Sequence, residues 1–301
     1  MTPQTKALTM GGFVLFFWAT AATAFKIALA GISFFELLLI ASVTTLIISA
    51  AELSFSRKWG KAALVFYDKR LLIKYLMQGL LNPFLYYLVL LKAYSLLPAQ
   101  IAQPLNYSWQ IVLILMISLL FKQKLGFRRF MGVFVSFAGI ITLSLNNSAA
   151  ESGHLSIIGI LLALGSAFVW ATYWISKINV KEDSSLSLFF NFLSGTIFLL
   201  LLTIFIPVKI PEFKYLFAGI YVGTFEMGVT FILWGRALSI STNPIAITQL
   251  TYLSPVLSLI LIAVVLKEQV GIMTIAGFIL IIGGIVIANL KKGSPQSDLV
   301  D

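Results

Sequence analysis

The sequence contains one helical unit written twice. Gly126–Leu145 reads GFRRFMGVFVSFAGIITLSL and Gly271–Leu290 reads GIMTIAGFILIIGGIVIANL, so Gly126, Gly132 and Gly139 fall on Gly271, Gly277 and Gly284 at a single offset. The stretches before them repeat as well, QPLNYSWQIVLILMISLLFKQK against TQLTYLSPVLSLILIAVVLKEQ. Trp18-Ala19-Thr20 in the first apolar segment returns as Trp170-Ala171-Thr172 in the sixth. A unit that crosses a bilayer an odd number of times inserts its second copy upside down, an arrangement on which many secondary transporters are built.

A helix needs roughly 20 apolar residues to cross the hydrocarbon core. Ten segments meet that need, near 10–30, 33–53, 71–94, 98–121, 127–146, 155–176, 185–206, 213–238, 243–266 and 271–290. They use nearly all of a chain that is 59% hydrophobic and 11% charged, where a soluble domain carries about a quarter charged residues. The expected fold is an all-α integral membrane protein of ten transmembrane helices in two inverted five-helix repeats, 1–148 and 152–292, with a disordered polar tail over 293–301. The opening MTPQTKALTMGGFVLFFWATAATAF resembles a signal peptide with an Ala-Thr-Ala cleavage site. The same Trp-Ala-Thr recurs in mid-chain, where no signal can lie, so the segment reads as the first span.

The net charge is +10, which in a soluble chain would suggest a nucleic-acid partner. Here the basic residues lie mostly in connections. With both termini cytoplasmic, only Lys26, Lys92, Lys209, Lys214 and Lys267 of the 21 lysines and arginines fall outward. That positive-inside bias predicts both termini inside and the loop Asn146–His154, which has no Lys or Arg, outside. Charge therefore reports topology, and the partners expected are a lipid bilayer and a small-molecule substrate, not nucleic acid. The longest inner connection, Ser54–Arg70, is basic and is expected on the anionic inner leaflet. The chain has no cysteine, hence no disulfide framework, thiolate metal site or cysteine nucleophile. Phosphate-loop, H-E-x-x-H and G-x-S-x-G motifs are absent as well. The chain reads as non-enzymatic, with no cofactor and no metal.

Polar side chains within a span are costly and mark pathways or inter-helix contacts. In the fourth span Gln103, Asn106, Tyr107 and Gln110 follow i, i+3, i+4, i+7, one helical face, with Trp109 beside them. Four such residues suit the wall of a polar cavity better than packing alone. Pro104 removes a backbone hydrogen bond in the same span, and Pro255 lies about one turn further along in the matching ninth span. Interrupted spans at corresponding places in two halves point to a transport site. Asn82 and Tyr86, i and i+4 beside Pro83 in the third span, are placed on the same cavity. Trp59, Trp174 and Trp234 fit an interfacial belt, while Trp18, Trp109 and Trp170 are deeper and read as an aromatic lining. Glu226 lies near the middle of the eighth span, where an ionised carboxylate costs about 2.5–3.5 kcal/mol on insertion scales. It must be protonated, paired or facing water, and Lys26 and Lys177 are candidate partners. Its roles are a proton site, an anchor for a substrate amine, or a buried structural pair. The glycines of the fifth and tenth spans read as packing surfaces.

Ten spans in two repeats, together with YLSPVLSLILIAVVLKE at Tyr252–Glu268, resemble the EamA family of the drug/metabolite transporter superfamily. Phe17-Trp18, Asn106-Tyr107-Ser108-Trp109 and Trp170 are most similar to its bacterial aromatic amino-acid exporters. Those usually continue the span-four motif as Tyr-Leu-Trp-Pro, whereas Gln110 stands here in place of the proline. The resemblance implies a cavity between spans one, three, four, six, eight and nine, holding Trp18, Asn82, Tyr86, Gln103, Asn106, Tyr107, Trp109, Gln110, Trp170, Tyr173, Glu226, Gln249 and Tyr252. The expected activity is carriage of small organic metabolites, amino acids first, across the inner membrane by alternating access in the export direction. Multidrug or nucleotide-derived metabolite carriage is an alternative, and a non-transporting membrane scaffold is the reading from another class.

Overall fold

The computed structural model describes residues 1–122, 126–146, 154–177, 183–243, 247 and 250–289, apart from the side chains of Tyr252 and Asn289. Among the described residues, eight helical stretches are long and apolar enough to cross a membrane: Pro3–Leu29, Phe34–Phe55, Lys69–Leu96, Ala99–Leu120, Phe127–Ser144, Ile157–Ile175, Ser184–Leu202 and Phe213–Ile240. Two shorter apolar helices, Ser254–Val265 and Ile272–Ala288, lie where the ninth and tenth spans are expected.

Several stretches are composite. Helix α1 (Pro3–Leu29) and α2 (Phe34–Phe55) are continuous. A short helix α3 (Trp59–Val65) precedes α4 (Lys69–Gly79), a wide π-type turn at Leu80–Leu85, and α5 (Tyr86–Leu96). The fourth stretch divides at Ser108 into α6 (Ala99–Tyr107) and α7 (Trp109–Leu120). Helices α8 (Phe127–Ser144), α9 (Ile157–Ile175) and α10 (Ser184–Leu202) follow. The eighth stretch comprises α11 (Phe213–Tyr221), a second π-type turn at Val222–Gly228, and α12 (Val229–Ile240). A 3-10 turn at Thr251–Leu253 leads into α13 (Ser254–Val265), and α14 (Ile272–Asn289) closes the described chain.

Polar caps set the starts. Thr2 accepts a hydrogen bond from the Thr5 N–H ahead of α1, and Ser33 with Glu36 forms a capping box on α2. Asp68, Ser156 and Asp183 cap α4, α9 and α10. Each satisfies helix N–H groups that have no partner within the helix. Helix α6 follows Pro98, whose side chain cannot cap. A carboxylate from a distant segment does so instead: Glu268 accepts from the N–H groups of Ala99 (2.9 Å) and Gln100 (3.1 Å).

The chain forms two compact units, residues 1–91 with 182–267, and residues 92–181 with 268–301. Neither coincides with one repeat, because spans pair across repeats. In the first unit α1 packs on α12, α13 and α11, while α2 packs on α10 and on the second π-type turn; α10 also packs on α4 and the first π-type turn. In the second unit α9 packs on α6 and α7, and α8 packs along α14. That last contact is a seam of small residues. A Cβ on Gly132 would approach the Gly284 carbonyl oxygen to 2.5 Å, and one on Gly139 the Gly277 oxygen to 2.7 Å. Ser136 donates to the Ile281 carbonyl across the same seam at 2.9 Å. The glycines thus let two backbones touch, one from each repeat, as close helix packing in lipid requires.

The repeat is visible in the backbone. At the offset that sets Gly126 on Gly271, Trp109 falls on Ser254, and these residues open α7 and α13 after a break in each case. Lys122 and Lys267, matched by the same offset, both turn through the left-handed region, with φ of 52° and 57°. The fourth span therefore breaks at Ser108, where the Ser108 hydroxyl donates to the Leu105 carbonyl (2.6 Å), and not at Pro104, which is accommodated inside α6.

Candidate functional site

In the first unit both long composite stretches lose α-helical geometry in mid-course, and a side-chain contact joins them there. Tyr87, just past the first π-type turn, donates from its hydroxyl to Glu226 Oε1 in the second (3.2 Å). Glu226 Oε2 is shielded from solvent and has no hydrogen-bond partner. A buried oxygen without a donor costs about 1–3 kcal/mol, more when charged. Lys26, in the same unit, does not pair with Glu226 among the described residues, and Lys177 lies over the Tyr173 ring, 5.1 Å from its centroid. Within this unit the donor that Glu226 has is a neutral phenol and not the Lys26 ammonium. Asn82 interrupts the first π-type turn with extended backbone (φ −144°, ψ 118°) and is buried, its Oδ1 without a hydrogen-bond partner. Pro83 beside it presses on Gly195 of α10, where a Cβ would meet its ring at 2.6 Å. Tyr86 is buried edge-on against Tyr87, ring centroids 4.7 Å apart.

Aromatic rings line α1 in the same unit. Trp18 meets Trp234 and Phe231 of α12 at 5.5 and 6.2 Å. Phe17 meets Phe225, which meets Tyr221. Thr20 donates its one hydroxyl proton to the Phe17 carbonyl (2.7 Å), so in the Thr20–Tyr221 contact, also 2.7 Å, the tyrosine donates. Between α1 and α11 lies an apolar cleft of about 380 Å³, lined by Thr20, Thr23, Ala24, Ile27, Phe217, Ala218 and Tyr221. Tyr87, Tyr221 and Phe225 were missed from the sequence. Phe225 adjoins Glu226, but nothing in the sequence indicates that it faces Phe17.

The second unit carries a separate aromatic cluster. Trp109 opens α7 and stands 6.4 Å from both Trp170 (edge-on) and Trp174 (stacked) of α9. Trp170 stacks on Tyr173 at 5.3 Å. Trp174 belongs to this cluster, and Trp234 to that of Trp18, so rings assigned from the sequence to belt and to lining touch one another. Residues one turn apart on a helix share a face, which brings Trp170 and Trp174 together. Trp170 and Tyr173 are buried, Trp109 half-buried. In the polar stripe, Gln103 and Asn106 are buried, Tyr107 and Gln110 half-buried. Asn106 Nδ2 donates to Ser166 Oγ (2.9 Å), which itself donates to the Ala163 carbonyl, so Asn106 ties α6 to α9. Trp18 belongs to one unit and Trp109 and Trp170 to the other. Gln249 and the side chain of Tyr252 lie outside the described residues.

At one end of the first unit, charged groups join three spans. Arg236 Nη2 of α12 donates to both carboxylate oxygens of Glu52 at the end of α2 (2.6 and 2.7 Å). Lys58 donates to Asp183 at 2.8 Å, and Ser185 hydrogen-bonds to both Lys58 and Glu52. Burial raises the Asp183 carboxyl, but the Lys58 hydrogen bond and charge, with backbone donors, outweigh it and hold its pKa below the usual aspartate range.

The family model for the EamA-like transporter family matches this chain twice, over residues 5–145 and 157–290. An uncharacterized transporter of Bacillus subtilis (strain 168), YvbV, is 27% identical over 232 residues, covering 74% of this chain and 73% of that protein. An uncharacterized transporter in the sor 3′ region of Acidianus ambivalens is 27% identical over 217 residues, covering 69% of this chain and 81% of that protein. One solved protein structure superposes with a TM-score of 0.67 at 19% identity, over 95% of this chain and 97% of its own, a likeness of fold.

Proposed function

Since this chain belongs to the EamA-like transporter family and is a multi-pass membrane transporter, we propose that it carries small organic metabolites bearing a donor group, amino acids first among them. The observation that carries this reading is the buried Glu226 Oε2 without a partner, set where the third and eighth spans both abandon α-helical geometry. Irregular backbone at membrane depth is tolerated where it is buried in protein or lines a cavity. An acceptor left open there suits an ammonium group or a transported proton. In the same unit as Glu226, the rings of Phe17, Tyr221 and Phe225 supply apolar surface for a side chain. Transport proceeds by alternating access in the export direction across the inner membrane, with both termini cytoplasmic.

The pairings also support ten spans in two inverted repeats, 1–148 and 152–292. Exchange of repeats carries the packing of α2 on the second π-type turn into that of α10 on the first, and the packing of α1 on α13 into that of α9 on α6 and α7. It leaves the pairs α8–α14 and α2–α10 in place. A two-fold relation between halves has this property. The test is uptake and efflux of a metabolite panel in proteoliposomes, with and without a pH gradient. Movement of amino acids or other amines supports the reading. Movement confined to metabolites lacking an amine removes Glu226 as their anchor.

A further inference from the structure

The connection between α2 and α4 is larger than a link needs to be, and the repeat has no counterpart to it. Residues 55–70 include a helix, α3, and four cations without an ion pair close to it, while the matching connection, 203–212, has no helix and one cation, Lys209. One side of α3 is fixed. Ala62 and Val65 are buried against Leu53, Tyr75 and Phe190. The Trp59 ring lies edge-on to Phe189 with its N–H held by Ser54 Oγ (2.9 Å), and the Phe66 ring meets Phe190. The other side is open and apolar: Phe55 is 87% exposed, Leu64 67% and Tyr67 88%. Arg57, Lys61, Lys69 and Arg70 are exposed around these residues and make no ion pair among the described residues. Lys58 is already paired with Asp183. The one acid within the segment, Asp68, spends an oxygen capping α4.

Exposed aromatic and aliphatic groups rimmed by cations, at the base of a membrane bundle, match the two parts of an anionic lipid. The rings and Leu64 suit the headgroup–acyl boundary, and the guanidinium and ammonium groups suit phosphate. We propose that segment 55–70 is a docking surface for anionic phospholipid headgroups, held rigid by α3 and recognised through Arg57, Lys61, Lys69 and Arg70. An acidic protein partner would use the cations but leave Phe55 and Tyr67 in water. The proposal is independent of the transported substrate.

The test uses the full-length protein in micelles, titrated with phosphatidylglycerol or phosphatidylcholine and read by native mass spectrometry. Wild type should retain phosphatidylglycerol preferentially, with each basic side chain removed from the segment weakening that preference by about fivefold. The variant R57Q/K61Q/K69Q/R70Q should lose it at unchanged melting temperature, whereas R128Q/R129Q in the first turn of α8 should keep it. Soluble glycerol 3-phosphate should not displace the lipid. In case the fourfold variant fails to fold, Gly60→Cys, where a side chain meets nothing within 4 Å, can carry a photoreactive label with all native charges present. In nanodiscs of equal lipid content the label should crosslink to phosphatidylglycerol in excess. Equal crosslinking of both lipids, retention of the preference by the fourfold variant, or charge-dependent capture of an acidic protein in place of lipid would overturn the proposal.

Discussion

Glu226 has one neutral donor, Tyr87, and one buried oxygen without a partner. Glu226→Gln keeps the shape and removes the titratable group. It should therefore fold, with a melting temperature close to wild type, while changing either the pH dependence of transport or the apparent substrate affinity. Unchanged rates and an unchanged pH profile would remove the residue from the mechanism. Trp109 is half-buried at the start of α7 and touches two rings of α9. Trp109→Ala should lower transport several-fold with expression largely intact; loss of folded protein instead would assign the ring to packing. The Lys58–Asp183 pair gives a stability prediction with a defined sign. Its carboxyl titrates below the ordinary aspartate value of about 3.9 in the folded protein. The contribution is thus fully present above that value and is lost as pH falls through the lower folded pKa. Lys58→Met should cost about 0.5–1 kcal/mol at neutral pH, since the pair is partly exposed, and should flatten the acid-induced loss measured by thermal melts between pH 6 and pH 3.

Helices were legible in the sequence where hydropathy alone decides them, and less so where faces and distant partners decide. The segments near 33–53, 127–146 and 185–206 appear as α2, α8 and α10 because each is an uninterrupted apolar run. The break in the third span was marked by Pro83. That in the eighth was not, since Val222–Gly228 contains no proline. Glu268 was visible only as part of a repeated motif, because its role as the cap of α6 depends on a residue far away in sequence. The tryptophans were assigned by distance along the chain, and the cluster of Trp109, Trp170 and Trp174 follows from which helix faces meet. The glycines of α8 and α14 were legible as packing, and the structure supplies their partners. Gly139→Leu would drive a side chain into the Gly277 carbonyl. It should destabilise by about 1–3 kcal/mol or more, read as a lower melting temperature in detergent. Gly283→Ala, with nothing within 4 Å, should leave it unchanged.

At the scale of the molecule, repeats and compact units cut the chain differently. Each unit draws spans from both halves, so the proposed two-fold relation between halves rests on the pairing pattern and not on the order of spans. An inverted duplication requires the termini on one side and the connection between repeats on the other. In this cysteine-free chain a cysteine at Ser152 should accordingly be labelled by an impermeant reagent from outside; labelling from the cytoplasm alone would contradict the ten-span arrangement. The central claim, that the molecule carries amine-bearing metabolites by alternating access, is tested most directly by counterflow. Proteoliposomes loaded with an unlabelled amino-acid mixture are diluted into trace labelled amino acids. The expected result is transient accumulation of at least one label above its external concentration with wild type, altered in Glu226→Gln and absent from protein-free liposomes. Accumulation no greater than in protein-free liposomes for every label would contradict the claim.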